Sequence, residues 1–203
     1  MPTRYQAFTA KRTTKNWAAV LQRRDRAGEA MRQIFGDRSS VCVSRNDLRE
    51  WARAENLDCL VMGTLLWGYA AGMRGNHASN ISANLTALTS LLGEARLGVL
   101  NWREHFEKVG AIPGVGLSTY TKFLNFLSVS ISGRKALILD ERIIDVAKSR
   151  AFEEFTGSFT ALRYPTYLER MHSIADTLKV EAENLEFFLY EFGLNLRQPE
   201  SGV

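Results

Sequence analysis

A proline–glycine turn at residues 113–116 constrains this chain more than any other feature of its sequence. Pro113 lacks an amide N–H and restricts the residue before it, so a helix arriving from about residue 97 must end here. Gly114 and Gly116 permit positive φ and leave the backbone N–H groups of the turn uncovered by side chains. A second helix is predicted from Leu117, and its first N–H groups have no partner within that helix. Those donors, together with the positive end of the helix dipole, favour a bound phosphate.

The stretch after the turn carries one amine and leads to one carboxylate. Ser118, Lys122 and Asn125 form a polar stripe on the predicted helix, and Lys122 is the only charged residue between positions 109 and 134. An apolar run at residues 136–139 then leads to Asp140, which is predicted to lie near the N-cap of the next helix. Capping alone would stabilise that helix by about 0.5–2 kcal/mol. A capping role and a chemical role for Asp140 are compatible.

The hairpin pattern, with LSTYTKFLNFL followed by ALILD, resembles the helix-hairpin-helix DNA glycosylase superfamily. Within it, the closest resemblance is to small bacterial proteins with an 8-oxoguanine DNA glycosylase fold. The resemblance implies an all-α, two-lobed helical fold with its hairpin at about residues 97–131. We therefore expect a basic N-terminal arm at residues 1–13, one glycosylase-like domain at residues 14–196 and a tail at residues 197–203.

The same resemblance implies the catalytic residues. Asp140 matches the family's catalytic acid, and bifunctional members add a lysine that forms a Schiff base with the sugar. Many of them carry that lysine two residues after the last hairpin glycine, where this chain has Ser118. Lys122 lies one helical turn later and 18 positions before Asp140, so we assign it as the amine. A serine at position 118 is also compatible with a monofunctional enzyme.

The resemblance also implies which residues contact DNA and the flipped base. The expected DNA-contacting residues are Gly114, Val115, Gly116, Ser118, Thr119, Arg74 and His77. The expected base-pocket residues are Trp67 and Tyr69, near the end of the apolar stretch 57–71, and Phe188 and Phe192 on the last helix. Core packing for the aromatic residues and plain solvation for Arg74 and His77 are the alternative interpretations. His77 has no second histidine or cysteine at metal-ligand spacing, so we predict no metal site.

Composition narrows the class of protein. A chain of 203 residues suits one compact domain. Cys42 and Cys59 are too few for a disulfide framework or a four-cysteine iron–sulfur loop, and no apolar run suits a signal peptide or a membrane span. We expect a cytoplasmic monomer that requires no cofactor, with a monovalent cation at the hairpin carbonyls as the resemblance implies. Net charge is +6 over residues 1–38, +3 over 39–150 and −5 over 151–203, which fits one phosphate-facing side.

Three hypotheses for function remain at this point. The first is an 8-oxoguanine-type DNA glycosylase that flips a damaged guanine out of double-stranded DNA and cleaves its N-glycosidic bond. Lyase activity at the resulting abasic site, through a Schiff base, would accompany it. The second is a repurposed glycosylase fold that acts on a nucleotide or a modified guanine in a bacterial antiviral system. The third is a DNA-binding module without catalysis, which needs only the hairpin and a basic surface.

Local patterns predict the remaining elements. They indicate helices over residues 14–35, 44–55, 57–71, 79–92, 97–109, 165–178 and 181–192, and a short extended segment at 39–44. Ser44 and Asp47 match a capping box. Gly93 is predicted to end the helix that precedes it.

Overall fold

The computed structural model describes residues 9–69, 73, 75–99, 101–150, 152–157 and 159–196. Within these residues the chain is predominantly helical, as the sequence predicts. The α-helices are α1 (Ala18–Leu21), α2 (Arg26–Phe35), α3 (Arg45–Arg53), α4 (Leu57–Gly68), α5 (His77–Ala83), α6 (Leu85–Ala95), α7 (Trp102–Gly110), α8 (Leu117–Phe126), α9 (Glu141–Lys148), α10 (Tyr164–Leu178) and α11 (Ala182–Phe192). Short 3₁₀ helices lie at Thr14–Trp17, Glu153–Phe155, Ala161–Arg163 and Gly193–Leu196.

Two small antiparallel sheets complete the described fold. The first pairs β1 (Thr9–Thr13) with β2 (Ser40–Ser44), and the second pairs β3 (Ser130–Ile131) with β4 (Arg134–Lys135). Thr9–Thr13, which the sequence analysis placed in a basic N-terminal arm, form β1, and Ala10 is buried in the core. The extended segment predicted at residues 39–44 is confirmed by β2, which supplies the pairing edge.

Two predicted helices are each divided in the structure. The helix predicted over residues 14–35 is interrupted because the Asp25 side chain accepts a hydrogen bond from the Gly28 N–H and starts α2 as a new helix. The helix predicted over residues 79–92 is divided at Asn84 into α5 and α6. Gly93 does not end α6, which continues to Ala95. Both breaks come from local capping or backbone geometry, which apolar periodicity does not report.

Helix α4 lies at the centre of the fold. It is apolar on all sides, and each residue from Cys59 to Trp67 is buried, which is typical of a helix enclosed by others. It packs against α2, α3, α6, α8 and both strands of the first sheet. None of the helices in the described ranges has the length and apolar character needed to cross a membrane.

The hairpin comprises α7, the turn at residues 111–116 and α8. In the turn Gly114 has a φ of +89°, which L-residues with a Cβ rarely adopt. A Cβ at Gly114 would also lie 2.7 Å from the carbonyl oxygen of His77, at the start of α5. The turn thus requires glycine at position 114 both for its conformation and for its packing. The first hairpin helix begins at Trp102, five residues later than predicted.

The apolar run before Asp140 is held by tyrosines from the second half of the chain. The hydroxyl groups of Tyr164 and Tyr167 on α10 donate to the backbone carbonyls of Leu137 and Ile138. All four residues are at most 4% exposed. These hydrogen bonds fix the strand-like segment that ends at Asp140, because its carbonyl groups have no ladder partner in the two small sheets. The placement of Asp140 therefore depends on α10.

Candidate active site

A cavity of about 420 Å³ opens where α3, α4, α8, α9 and α11 meet. This volume lies within the usual range for small-molecule sites. Its lining residues come from positions spread over almost the whole described chain. They are Arg12, Arg45, Trp67, Gly68, Tyr69, Ser118, Lys122, Ile138, Asp140, Glu141, Arg142, Ile143, Glu186, Phe187 and Tyr190. Lys122 and Asp140, which the sequence analysis paired, thus line the same cavity.

Lys122 is held in the cavity wall by its own helix. Its ammonium Nζ donates to the Ser118 hydroxyl at 2.8 Å and to the Ser118 carbonyl at 3.0 Å, one turn earlier on α8. The Nζ atom also lies 5.9 Å from the centre of the Tyr69 ring. The Lys122 side chain is only 6% exposed, which is rare for lysine. The i, i+4 spacing therefore points the amine into the cavity and makes Ser118 its direct neighbour.

The surroundings of Lys122 favour its neutral amine. Burial lowers the pKa of Lys122 because desolvation penalises the ammonium form, and the nearby Arg45 lowers it further. Asp140 and Glu186 oppose this effect by stabilising the positive charge. The net direction is downward, so more of this side chain is a free amine at neutral pH than for an exposed lysine. A free amine is the form that can act as a nucleophile.

Asp140 occupies the N-cap of α9, as the sequence predicts. Its Oδ1 atom accepts a hydrogen bond of 3.2 Å from the backbone N–H of Ile143. Asp140 is half-buried at the end of the apolar run, so its other carboxylate oxygen is available to the cavity. The cap thus fixes one carboxylate oxygen of a side chain that lines the same cavity as Lys122.

A buried ion pair, which the sequence analysis did not identify, forms another part of the wall. Arg45 on α3 and Glu186 on α11 are 4% and 2% exposed, and Arg45 Nη2 lies 3.5 Å from Glu186 Oε1. Glu186 Oε2 accepts the backbone N–H of Ile138 at 2.6 Å. Burial raises the pKa of Glu186 to about 7, although Arg45 and the Ile138 N–H stabilise its anion. This carboxyl group can therefore gain or lose a proton near neutral pH.

The first strand also contributes to the cavity. Arg12 on β1 donates through Nε to the carbonyl of Leu66 at 2.6 Å and through Nη2 to the carbonyl of Trp67 at 3.1 Å. These are orphan carbonyls at the C-terminal end of α4, where a guanidinium group is favourable. Arg12 therefore fixes the end of α4 beside the cavity. The sequence analysis had placed this residue in the arm.

The aromatic residues of the cavity only partly match those predicted. Trp67 and Tyr69 line it, and the Tyr69 hydroxyl is 2.5 Å from the Thr119 hydroxyl at the start of α8. On α11 the cavity contains Phe187 and Tyr190 rather than the predicted Phe188 and Phe192.

Phe188 and Phe192 are each 42% exposed, and their ring centres are 5.6 Å apart on another side of α11. Phe188 lines a separate, mostly apolar cavity of about 780 Å³ with Phe155 and Leu178. The structure therefore places Phe188 and Phe192 outside the cavity that contains Lys122. Phe187 and Tyr190, one and two positions from Phe188, line the cavity instead, and a helix with aromatic residues at four of its positions does not show by sequence alone which ring faces the cavity.

The residues predicted to contact DNA at the hairpin differ in how exposed they are. Val115 and Thr119 are 7% and 4% exposed as whole residues, so neither side chain is placed to contact a large ligand. Gly116 is exposed at the N-cap of α8, and a Cβ there would meet no atom within 4 Å. His77 is exposed, and its backbone contacts Gly114, which brings it beside the turn. Arg74, the other predicted DNA contact, lies outside the described residues.

No group of three or more histidine, cysteine or acidic side chains suited to a metal ion occurs among the described residues. Cys42 is exposed and Cys59 is buried, and both are free thiols. The polar chemistry of the cavity therefore comes from carboxylate, amine and guanidinium groups.

Comparison with known proteins gives one match that covers most of the chain. Residues 3–190 match the model of the family described as "Putative 8-oxoguanine DNA glycosylase OGG-like protein". No curated protein and no solved structure gives a significant match. The matched range includes the hairpin, Lys122, Asp140, Glu186 and Tyr190, and it confirms the family expected from the hairpin and the downstream acid. The chain belongs to the OGG-like family of 8-oxoguanine DNA glycosylase-related proteins.

Proposed function

We propose that this protein is a DNA glycosylase of the 8-oxoguanine type that also cleaves the strand through a Schiff base on Lys122. The observation that carries the proposal is the buried amine of Lys122 in the same cavity as the carboxylate of Asp140, directly after a phosphate-binding type of hairpin. A non-catalytic DNA-binding module would need only the hairpin and a basic surface. It would gain nothing from burying an amine, which costs desolvation free energy.

The fold suits recognition of a base that has left the duplex. A base within the stack cannot be reached at its glycosidic bond, so it must rotate into a pocket, at a cost of a few kcal/mol. The cavity offers Tyr190 for stacking and buried polar groups for hydrogen bonding. Stacking on one aromatic ring contributes about 1–3 kcal/mol per base, enough to offset much of that cost. We therefore place the flipped base between α11 and the end of α4.

The hairpin would hold the strand next to that base. The backbone N–H groups at the start of α8 lie within a few residues of Ser118 and Lys122, so a bound phosphate would position its nucleotide beside the amine. Such contacts fix position without reading sequence. The turn also suits a monovalent cation, because the carbonyls of Ile112 and Gly116 each accept one N–H and keep a second lone pair. A cation held by these two carbonyls would add positive charge toward the phosphate.

Asp140 and Lys122 would divide the chemistry. As the bond to the base lengthens, positive charge develops on the sugar, and the ionised carboxylate of Asp140 stabilises it, as carboxylates do in glycoside hydrolysis. The neutral amine of Lys122 attacks C1′, and the bonding electrons leave with the base. Ring opening and loss of a proton from nitrogen then give the Schiff base, which permits strand cleavage. Ser118 keeps the amine oriented throughout.

Borohydride trapping on duplex DNA with one 8-oxoguanine tests this proposal. The native protein should form a covalent adduct and release the base, and Lys122→Gln should abolish the adduct. Lys148→Gln is the matched control, because Lys148 is an exposed lysine on α9 outside the cavity. An adduct that persists in Lys122→Gln would overturn the assignment of the amine. Base release without any adduct would instead indicate a monofunctional enzyme that relies on Asp140.

The same assay separates DNA from smaller substrates. Parallel reactions with 8-oxoguanine nucleoside and nucleotide, followed by chromatography of the free base, should show slow or no release. Faster release from the nucleotide than from duplex DNA would reject the DNA substrate and support the nucleotide hypothesis. The absence of release from any oxidised purine substrate would reject the glycosylase proposal itself.

A further inference from the structure

Glu186 is unusual because it is the only carboxylate among the buried residues in the described part of the chain. It lies in the wall of the cavity that also contains Lys122, and the two groups interact electrostatically. Nothing in the reaction described above requires a second buried acid. Burying a charged carboxylate costs free energy unless the charge is closely paired. Arg45 Nη2 lies 3.5 Å from Glu186 Oε1, which is long for a hydrogen bond between charged groups.

The charges in the cavity wall favour the transfer of a proton from Lys122 to Glu186. Arg45 and Lys122 are both buried, and if both were protonated they would face one buried carboxylate and the half-buried Asp140. Arg45 stays charged in a protein, so its positive charge is fixed. Loss of a proton from Lys122 and gain of a proton by Glu186 would remove one buried cation and one buried anion together, which desolvation favours.

Other ionisable groups also surround Glu186. Glu183, one turn earlier on α11, and Asp140 at the start of α9 raise the pKa of Glu186, whereas Arg45 and the Ile138 N–H lower it. Tyr164 and Tyr167 on α10 are neutral, because burial raises the pKa of each phenol well above its usual value. Arg12 and Arg142 line the same cavity.

We infer that Glu186 accepts the proton of Lys122 as the amine becomes a nucleophile, and returns that proton to the departing base. This inference rests on the proposed function of Lys122. In this structure the Lys122 ammonium donates to both oxygens of Ser118, and it has a third proton to give. Once the Lys122 and Glu186 side chains come into contact, the ammonium transfers that proton to the carboxylate, which leaves a neutral amine and a neutral carboxylic acid. The amine attacks C1′, the N-glycosidic electron pair leaves with the base, and the carboxylic acid protonates the base. Each proton is thus accounted for, and Glu186 is again an anion.

The pKa directions agree with this assignment. Burial lowers the pKa of Lys122 and raises that of Glu186 to about 7, so the two values approach each other. Proton transfer between the groups therefore costs less free energy than it would between an exposed lysine and an exposed glutamate, whose pKa values differ by about 6 units. General acid–base catalysis of this kind typically accelerates reactions by about 10²–10⁴-fold.

The variant Glu186→Gln distinguishes a proton acceptor from a charge that acts at a distance. Glutamine keeps the shape of the side chain but does not accept a proton. If Glu186 accepts the proton, single-turnover Schiff-base trapping at pH 7 should slow by about 100-fold. Above pH 9, where Lys122 loses its proton to solvent, trapping should recover much of its rate. If Glu186 acted only through its charge, its removal would lower the pKa of Lys122 further, and trapping below pH 7 would become faster.

Glu183→Gln is the matched control, because Glu183 lies on the same helix but outside the cavity, where it pairs with Arg49 and Lys135. It should trap at close to the native rate. A Glu186→Gln variant that traps as fast as native protein at pH 7 would overturn the inference while leaving the proposed function intact. Absence of trapping by the native protein would reject the lyase proposal instead.

A measurement on the native protein covers the case in which Glu186→Gln fails to fold. Carbon-13 NMR of the glutamate carboxyl groups, with the signal assigned by Glu186→Asp, should show Glu186 titrating near pH 7. In Lys122→Gln the titration should move to higher pH, because a neighbouring positive charge has been removed. A Glu186 signal that titrates near pH 4 in the native protein would overturn the inference.

Discussion

The carbonyl oxygen of His77 occupies the space beside Gly114 that any side chain would need. A Cβ at Gly114 would lie 2.7 Å from that oxygen and 3.2 Å from the His77 Cα. Because both contacts are with backbone, the neighbour cannot rotate away as a side chain could. The hairpin turn and the start of α5 therefore form one rigid unit, and the spacing between the exposed His77 side chain and the hairpin N–H groups is fixed.

Gly114→Ala should consequently disturb both stability and DNA binding. The clash and the φ of +89° predict a loss of about 1–3 kcal/mol in the free energy of unfolding. Affinity for duplex DNA, measured by fluorescence anisotropy at fixed salt, should fall as well.

The matched control for this variant is Gly116→Ala. The backbone of Gly116 has φ −94° and ψ 172°, which any residue adopts, and a Cβ there meets nothing within 4 Å. Because alanine is a poorer N-cap than glycine, the free energy of unfolding of this variant should fall by about 0.5–1 kcal/mol, less than that of Gly114→Ala. Equal destabilisation of the two variants would contradict the packing assigned to Gly114.

Substitutions of Asp140 should separate capping from chemistry. Asparagine is as good an N-cap as aspartate, so Asp140→Asn should retain the hydrogen bond to the Ile143 N–H and most of the stability. It has no negative charge, so base release should fall by at least 100-fold. Asp140→Ala should lose that activity and about 1 kcal/mol of stability as well. Urea unfolding and single-turnover kinetics measure the two effects, and an active Asp140→Asn would argue for capping alone.

Tyr190 and Phe188 on the same helix should respond in opposite ways. Tyr190→Ala removes an aromatic ring from the cavity, where it also stacks with Arg142 at 4.6 Å, and should weaken binding of lesion-containing DNA by about 1–3 kcal/mol. Phe188→Ala alters the other cavity and should leave that affinity unchanged. Competition binding with lesion and undamaged duplexes measures the difference. If Phe188→Ala lost lesion preference and Tyr190→Ala did not, the base pocket would be misplaced.

Glu186 should make the stability of the protein depend on pH. Burial raises its pKa from 4.5 to about 7, so between these values the folded state holds a proton that the unfolded chain has lost. The contribution of this group to stability is therefore fully present below about pH 4.5 and is lost as pH rises through 7. Where the folded state binds one full proton more than the unfolded state, the free energy of unfolding falls by about 1.4 kcal/mol per pH unit.

Urea unfolding of native protein and Glu186→Gln between pH 5 and 8 tests this dependence. The free energy of unfolding of the native protein should fall relative to that of Glu186→Gln as pH rises, because only the native protein loses the contribution of Glu186. Glu183→Gln is the control, because the pKa of Glu183 is shifted in the opposite direction to that of Glu186. Its pKa is lowered by Arg49 and Lys135, so Glu183→Gln should alter the pH dependence only where pH falls below about 4.5. Parallel curves for native protein and Glu186→Gln would contradict the raised pKa.

Local sequence was sufficient to predict the hairpin, the capping box at Ser44 and the position of Asp140. The capping box is confirmed by reciprocal hydrogen bonds between Ser44 and Asp47. Each of these features depends on residues within a few positions of one another, where turn and capping chemistry act directly. The presence of Lys122 and Asp140 in one cavity followed from the family resemblance, and their catalytic roles stay predictions.

The missed residues depend on contacts that no local pattern encodes. Arg45 meets Glu186 across 141 positions, and Arg12 meets Leu66 across 54. On a helix, an isolated arginine or glutamate is usually solvated, and only tertiary packing buries Arg45 and Glu186. One signal was available for Glu186: it lies between Phe187 and Leu185 in an otherwise apolar stretch. A charged residue between apolar neighbours on a helix indicates a charge that packs against the core.

The cavity takes wall residues from positions 12 to 190, which has a consequence for how the protein is made. A ribosome synthesises the chain from its first residue, so α4 and the hairpin can form while α11 is still inside the exit tunnel. Until α11 emerges, Lys122 and Asp140 stand in open water without Glu186 or Tyr190. A lysine in open water is protonated, so the amine of Lys122 gains its reactive form only when synthesis of the domain is nearly finished, and a chain that stops short of residue 190 would have an incomplete site.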